Sequence, residues 1–304
     1  MNKIITHDNF RPALDEPVPS RYALKIGDID VLVISDGVVT PPAESMATNA
    51  DPAVRAAWLD GMFLPQDAFD WALNAIVVRS GGQTILIDSG LGVEVPEFPR
   101  AGHLVHRLEA AGIDLSFVTD VVLTHMHFDH VGGLLVDGVK ERLRPDLRIH
   151  VSAAEVEFWA APDFSRTAMG PVLSDVARRA SKQFLQEYHG QLRPFEAERE
   201  VAPGVVVTRT GGHTPGHSVV RLESGGDRLM FAGDALFPVS FDHPEWHNGF
   251  EHDPEEATRV RLRLMQELAT TGGMLVATHM PFPSIGRVAA AGDLFRWVPA
   301  WWDY

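Results

Sequence analysis

Short apolar runs separated by glycine turns recur along the chain and predict β-strands joined as antiparallel pairs. Three predicted pairs turn at a glycine and cover residues 22–26 with 29–34, 75–79 with 84–87, and 219–222 with 229–232. Further single strands are predicted at 118–123, 148–151, 205–210 and 274–277. Strand pairs in both halves of the chain predict two separate sheets.

Helical spacing of apolar residues lies between these strands. It predicts helices at 54–59, at 104–111, from 153 onwards, within 163–190 and from 254 onwards. Ser152 followed three residues later by Glu155 has the pattern of a capping box, and Asp253 before Pro254 has the pattern of an N-cap. We therefore predict two sheets packed face to face with helices outside, in one domain of residues 21–304. Residues 1–20, rich in proline and charge, are predicted to form a partly flexible extension.

The composition excludes several classes of function. A net charge of −15 argues against nucleic acid or anionic membranes as partners. The absence of cysteine excludes disulfides, a thiol nucleophile and thiolate-bound zinc. No apolar run reaches the roughly 20 residues of a membrane span, and the N-terminus lacks the apolar core of a signal peptide. We therefore expect a cytoplasmic protein whose partner is a small molecule.

Four potential metal ligands lie within six residues directly after the predicted strand at 118–123. They are His125, His127, Asp129 and His130. Side chains alternate along a strand, so His125 and His127 leave its end on the same side. Imidazole and carboxylate are ligands that zinc, iron and manganese accept. This cluster predicts a metal site.

Further histidines and aspartates follow other predicted strands, namely Asp88, His213, Asp234 and His279. Together with the cluster at 125–130, this set resembles the metallo-β-lactamase superfamily. The resemblance implies an α/β fold, the αββα four-layer sandwich, with two Zn²⁺ ions at one sheet edge; manganese, cobalt or iron are possible substitutes. It implies one metal held by His125, His127 and His213, a second held by Asp129, His130 and His279, and Asp234 as the bridging ligand. It also implies that Asp88 orients the cluster.

Within the superfamily, four sequence stretches resemble methyl parathion hydrolase and its arylesterase and lactonase relatives. They are residues 124–127, 157–159, 212–217 and 282–286. This resemblance implies hydrolysis of a carboxylic ester or lactone, aryl ones favoured, by hydroxide between the metals. Asp129 and Asp234 are the predicted catalytic residues, and phosphotriesters are possible further substrates. It also implies a homodimer.

Other residues near these motifs receive structural or pocket roles. His217 is predicted to close the turn after His213 or to orient a ligand. Trp159 and Phe237 are candidates for the substrate pocket. Phe237 stands where acyl-homoserine lactonases carry a tyrosine that hydrogen-bonds the substrate, which favours aryl esters over homoserine lactones.

Two alternative functions stay open at this point. One is an acyl-homoserine lactonase that quenches quorum sensing, and the other is a sulfur dioxygenase with a single iron. Metal content separates the second from a dizinc hydrolase. The roles of three histidines, His243, His247 and His252, are also left open.

Overall fold

A computed structural model of the protein describes residues 20–92 and 98–301. This part of the chain forms two seven-stranded sheets. The first contains β1 (Arg21–Ile26), β2 (Ile29–Val39), β3 (Trp71–Ser80), β4 (Gln83–Ile87), β5 (Asp120–Val122), β6 (Arg148–Ser152) and β7 (Leu192–Phe195), in that spatial order. The predicted extension of residues 1–20 lies outside the described residues except for Ser20.

The second sheet is built from the C-terminal half. It contains β8 (Glu198–Ala202), β9 (Val205–Arg209), β10 (Ser218–Ser224), β11 (Asp227–Phe231), β12 (Met274–Val276), β13 (Gly286–Ala291) and β14 (Leu294–Pro299). Strands that follow one another in the sequence are also neighbours in this sheet. Its neighbouring strands are antiparallel except β11 and β12, which are parallel. The first sheet is antiparallel from β1 to β4 and parallel from β4 to β7. Both sheets are therefore mixed.

Helices connect the strands on the outer faces. The α-helices are α1 (Pro52–Gly61), α2 (Leu104–Ala110), α3 (Phe128–Val131), α4 (Val139–Arg142), α5 (Ala153–Ala160), α6 (Pro171–Tyr188) and α7 (Pro254–Thr271). Single 3₁₀ turns cover Ala43–Met46, Leu115–Phe117, Gly132–Leu135 and Pro238–Phe241. The side chain of Asp253 accepts a hydrogen bond from Glu256 N, which confirms the predicted N-cap of α7.

Three apolar clusters hold the layers together. The central one lies between the sheets and includes Val33, Ile76 and Phe231. A second joins the outer face of the first sheet to α2, α3, α5 and α6. The third joins the outer face of the second sheet to α7 through residues such as Val260 and Leu264. The predicted αββα four-layer sandwich is confirmed.

Parallel pairing brings distant chain segments to one sheet edge. Ile87 at the end of β4 lies opposite Val122 at the end of β5. Phe231 at the end of β11 lies opposite Val276 of β12. Because parallel strands end at the same edge, the loops after these four strands meet there. No helix of the described ranges is both long and apolar enough to cross a membrane.

Candidate metal centre

The seven predicted ligand residues meet at this edge. The β5–α3 loop carries His125 and His127, and α3 carries Asp129 and His130. The remaining three follow strands of the second sheet: His213 after β9, Asp234 after β11 and His279 after β12. Six of these side chains are buried and that of Asp129 is partly exposed.

Three imidazoles form the first group. His125 Nε2 lies 2.9 Å from His127 Nδ1, and His213 Nε2 lies 3.1 Å from the same atom. Burial lowers the pKa of each of these histidines well below its ordinary value. The rings are therefore neutral, which is the form that binds a cation.

A carboxylate and two imidazoles form the second group. Asp129 Oδ2 lies 3.6 Å from both His130 Nε2 and His279 Nε2. Burial disfavours the charged form of both rings, but the carboxylates of Asp234 and Asp129 outweigh it and raise the pKa of His130 and His279. A hydrogen bond of 2.9 Å between His279 Nδ1 and the Ala72 carbonyl turns its Nε2 towards the group.

The carboxylate of Asp234 lies between the two groups. Its Oδ2 is 3.0 Å from His279 Nε2 and 3.5 Å from His213 Nε2. Its Oδ1 is 3.3 Å from His130 Nε2. Burial opposes ionisation, but His279 and His130 hold the pKa of Asp234 well below its ordinary value. An ionised carboxylate thus contacts both groups, as a bridging ligand does.

The donor atoms of this edge fit divalent metals. In each of three overlapping triads the ligand atoms lie within 4.8 Å of one another: His125 with His127 and His213, His125 with His130 and Asp234, and Asp129 with His130 and His279. His130 Nε2 and Asp234 Oδ1 are buried and lie 3.3 Å apart, but neither makes a well-oriented hydrogen bond with a described residue. Buried polar atoms rarely stay unpaired, and nitrogen and carboxylate oxygen are suitable donors for zinc.

Asp88 joins the β5–α3 loop to the second group. Its Oδ1 accepts a hydrogen bond from Thr124 N and its Oδ2 accepts one from Thr124 Oγ1, both at 2.8 Å. Oδ2 also lies 2.7 Å from His130 Nδ1, so it orients that ring with Nε2 towards Asp129 and Asp234. Asp88 has a φ of +58°, an unfavourable backbone conformation for a residue with a side chain.

Both ring nitrogens of His217 form hydrogen bonds with atoms other than the candidate ligand atoms. Nε2 accepts a hydrogen bond of 3.2 Å from Asp234 N, and Nδ1 lies 2.8 Å from Thr210 Oγ1. Burial lowers the pKa of His217 to about 4, which keeps Nε2 an acceptor at neutral pH. This geometry fixes the backbone that carries Asp234.

Glu155 contacts two of the ligand-bearing loops, which the sequence pattern did not predict. Its Oε1 accepts hydrogen bonds from Met126 N and Trp159 Nε1, and its Oε2 accepts them from Thr214 Oγ1 and Gly216 N, at 2.6 to 2.9 Å. Burial raises the pKa of Glu155, and these four bonds oppose the shift.

The predicted capping box at the start of α5 is therefore wrong. The side chain of Ser152 makes no cap hydrogen bond, and its hydroxyl has no partner in the described part of the chain. Glu155 instead turns into the interior, where donors from two ligand loops satisfy its carboxylate.

A cavity of about 120 Å³ opens beside both groups, next to His127, Asp129, Asp234 and His279. Its walls are mostly apolar and include Val39, Trp71, Phe98, Phe128, Leu173 and Phe250. Neither Trp159 nor Phe237 is among the lining residues. Trp159 packs edge-on against His127 with ring centroids 5.5 Å apart, and Phe237 stacks on His279 at 5.3 Å.

The three histidines of open role differ in position. His252 is buried beside His127. His243 stacks on Trp246 with ring centroids 3.9 Å apart, away from the ligand groups. His247 contacts the 43–50 segment through its backbone, because its carbonyl accepts a hydrogen bond from Thr48 N.

Comparison with known proteins identifies a family and several relatives. The model of the family described as the metallo-beta-lactamase superfamily matches residues 69–279. A probable metallo-hydrolase of Mycobacterium tuberculosis, Rv2300c, is 27% identical over 200 residues, which cover 56% of this chain and 59% of the relative. The chain thus spans about three fifths of the length of that curated relative.

Two solved structures match nearly the whole chain. The dizinc quorum-quenching lactonase AidC, in complex with a homoserine product, has a TM-score of 0.86 and 26% identity, and covers 94% of this chain and 99% of its own. The hydrolase AbOPH of the beta-lactamase superfamily has a TM-score of 0.82 and 28% identity, with the same coverage.

Proposed function

The chain belongs to the metallo-β-lactamase superfamily, and from that premise we propose that it is a dizinc hydrolase of carboxylic esters or lactones. One observation carries the proposal. The Asp234 carboxylate contacts His213 of one ligand group and His130 and His279 of the other. A carboxylate shared by two sets of ligands can hold two cations close together, as the chemistry of a two-metal hydrolase needs.

The residues that would hold the cations follow from the two groups. His125, His127 and His213 would hold one, Asp129, His130 and His279 the other, and Asp234 both. When bound, two such cations lower the pKa of water and polarise a carbonyl oxygen. Burial keeps the first three imidazoles neutral, so they offer lone pairs without losing a proton first.

Residues behind the ligands would preserve their geometry during the reaction. Asp88 holds His130, and the Ala72 carbonyl holds His279, each through Nδ1. These bonds leave Nε2 of both rings pointing at the same space. Ligands oriented in advance need no rearrangement when the substrate binds, and this lowers the barrier to reaction.

The walls of the cavity support a substrate with an apolar or aromatic part. Trp71, Phe128 and Phe250 present aromatic surface beside Asp129. Aromatic contacts contribute about 0.5–1.5 kcal/mol beyond area burial, so an aryl group would gain there. Phe237 packs on His279 and has no hydroxyl, so this position gives a substrate carbonyl no hydrogen bond, which favours substrates with good leaving groups. These features support the resemblance of the sequence to methyl parathion hydrolase and arylesterase-lactonases, which we propose as the subfamily, and phosphotriesters belong to the same proposal as secondary substrates.

An acyl-homoserine lactonase is the second candidate. It is supported by the likeness to AidC, described as a quorum-quenching lactonase, over 94% of the chain. An apolar cavity also accommodates an acyl chain. The two candidates differ in the substrate that is turned over fastest.

A substrate panel with defined metal content tests the proposal. Purified protein is treated with a chelator, reloaded with zinc, manganese, cobalt or iron, and assayed on dihydrocoumarin, an aryl acetate, hexanoyl-homoserine lactone and an aryl phosphotriester. We expect chelation to abolish turnover, zinc to restore it, and the aryl substrates to have the highest kcat/KM. A preference for the homoserine lactone would support the second candidate. Turnover of none of these by the zinc-loaded protein would contradict both.

A further inference from the structure

A histidine outside the predicted ligand set lies directly against one of its members. His252 Nε2 is 3.4 Å from His127 Nε2, and the ring centroids are 5.6 Å apart with planes 30° apart. The difference between these two distances is about the sum of the centroid-to-nitrogen distances of the two rings. The two nitrogens therefore face each other along the line between the rings, in the arrangement of an N–H···N hydrogen bond.

The protonation of His127 follows from its other contacts. Its Nδ1 faces His125 Nε2 and His213 Nε2 and would be the ligand atom. A neutral imidazole that binds a cation through one nitrogen carries its proton on the other. His127 Nε2–H is thus the donor, and its partner in the described structure is His252 Nε2.

His252 is held in the complementary tautomer by its own surroundings. Its Nδ1 lies 3.2 Å from the carbonyl oxygen of Asp163, which only accepts hydrogen bonds, so Nδ1 carries the proton and Nε2 is free to accept. Its backbone N–H donates to the His213 carbonyl at 2.8 Å. Phe158 and Phe164 pack against its ring. His252 therefore contacts two members of the first group, His127 and His213.

We propose that His252 is a positioning residue that fixes the tautomer and orientation of His127 for metal binding in the first group. The inference rests on the two-metal centre of the proposed function, but it concerns metal affinity and not the choice of substrate. Partners of this kind typically change metal affinity by roughly 10–100-fold when they are removed.

Two substitutions at one position separate the hydrogen bond from packing. His252→Phe keeps an aromatic ring but removes the acceptor, whereas His252→Gln keeps an acceptor oxygen. His243→Phe is the matched control, because His243 lies in the same loop and stacks on Trp246 without contacting the ligand groups. Each variant is titrated with zinc in competition with a chromophoric chelator, with circular dichroism to verify folding.

We expect His252→Phe to weaken one of two zinc-binding steps by roughly 10–100-fold, His252→Gln to recover most of that loss, and His243→Phe to bind as the wild type does. Wild-type affinity in His252→Phe, or equal losses in His252→Gln and His252→Phe, would overturn the proposal. Absence of zinc binding by the wild type would overturn it as well. A protein that binds zinc as expected but hydrolyses no ester would contradict only the proposed function.

Nuclear magnetic resonance of the wild type gives an answer even where His252→Phe does not fold. Zinc-loaded protein labelled with ¹⁵N at histidine should show His127 with its proton on Nε2 and that proton protected from exchange. A proton on Nδ1 of His127, or rapid exchange at Nε2, would overturn the proposal.

Discussion

At the scale of the residue, Glu155 shows how a carboxylate outside the candidate ligand set joins the loops that carry that set. Four donors converge on it, among them Met126 N, which lies between two ligand histidines, and Gly216 N, which follows His213 in the next loop. The two loops are about 90 residues apart in sequence, and Glu155 connects them through one buried side chain. Both of its carboxylate oxygens are satisfied by hydrogen bonds, two on each oxygen.

Glu155→Gln should therefore weaken both the fold and metal binding. An amide offers one acceptor oxygen, and its NH₂ group would face donors that already point at that position. Each buried donor left unpaired costs roughly 1–3 kcal/mol. We expect a loss of this size in the free energy of unfolding, measured by urea denaturation, together with weaker zinc binding.

Glu157→Gln is the control for this prediction, because Glu157 is exposed on the same helix. Exposed substitutions usually change stability by less than about 0.5 kcal/mol. Equal stability and equal zinc affinity in the two variants would show that Glu155 does not connect the loops.

Four of the seven candidate ligand residues could be predicted from their spacing, because His125, His127, Asp129 and His130 follow one strand within six residues. The other three, His213, Asp234 and His279, are distant in sequence, and only the family resemblance predicted them. Glu155 could not be predicted in the same way. Its position three residues after Ser152 matches a local pattern, but its actual partners at Thr214 and Gly216 are about 60 residues further along the chain.

At the scale of the element, the segment after His130 lies tightly against the segment after β4. A Cβ atom at Gly132 would lie 1.9 Å from the Leu91 carbonyl oxygen, so only glycine fits there. The φ of Gly132 is −61°, which any residue adopts. The need for glycine is therefore purely steric. Ser89 N also donates to the His130 carbonyl, which joins the two segments beside the site.

Gly132→Ala should force these segments apart and move His130. Overpacking of a buried contact typically costs roughly 1–3 kcal/mol. We expect a loss of at least this size in urea denaturation and weaker binding of one zinc ion. In Gly170→Ala the added Cβ meets nothing within 4 Å, so this control should stay within about 1 kcal/mol of wild type. Similar behaviour of both variants would contradict the steric explanation.

Strand prediction succeeded where two short apolar runs flank a glycine turn, and it missed β7, β8, β13 and β14. β1 with β2, β3 with β4, and β10 with β11 agree with the predicted pairs. β13 was not predicted, because alanine-rich residues 286–291 have low strand propensity. It forms because it pairs with β12 on one side and β14 on the other, and this pairing depends on the tertiary structure.

At the scale of the whole molecule, the site exists because two sheets bring their strand ends to one edge. The first and last candidate ligand residues along the chain, His125 and His279, are more than 150 positions apart in the sequence. Family resemblance predicted this assembly, but the cavity could not be predicted from sequence. Its walls combine Trp71 of β3, Phe128 of α3 and Phe250 of the loop before α7. Trp159, the expected wall residue, is held against Glu155 and His127 instead.

A zinc titration of the metal-free protein, with turnover of dihydrocoumarin recorded at each point, tests the two-metal hydrolase most directly. We predict that kcat/KM rises until two zinc ions are bound per chain and then stays constant. We also predict that Asp234→Asn, which alters the carboxylate between the groups, binds fewer than two. Full activity with one zinc ion per chain, or undiminished turnover by the metal-free protein, would contradict a two-metal hydrolase.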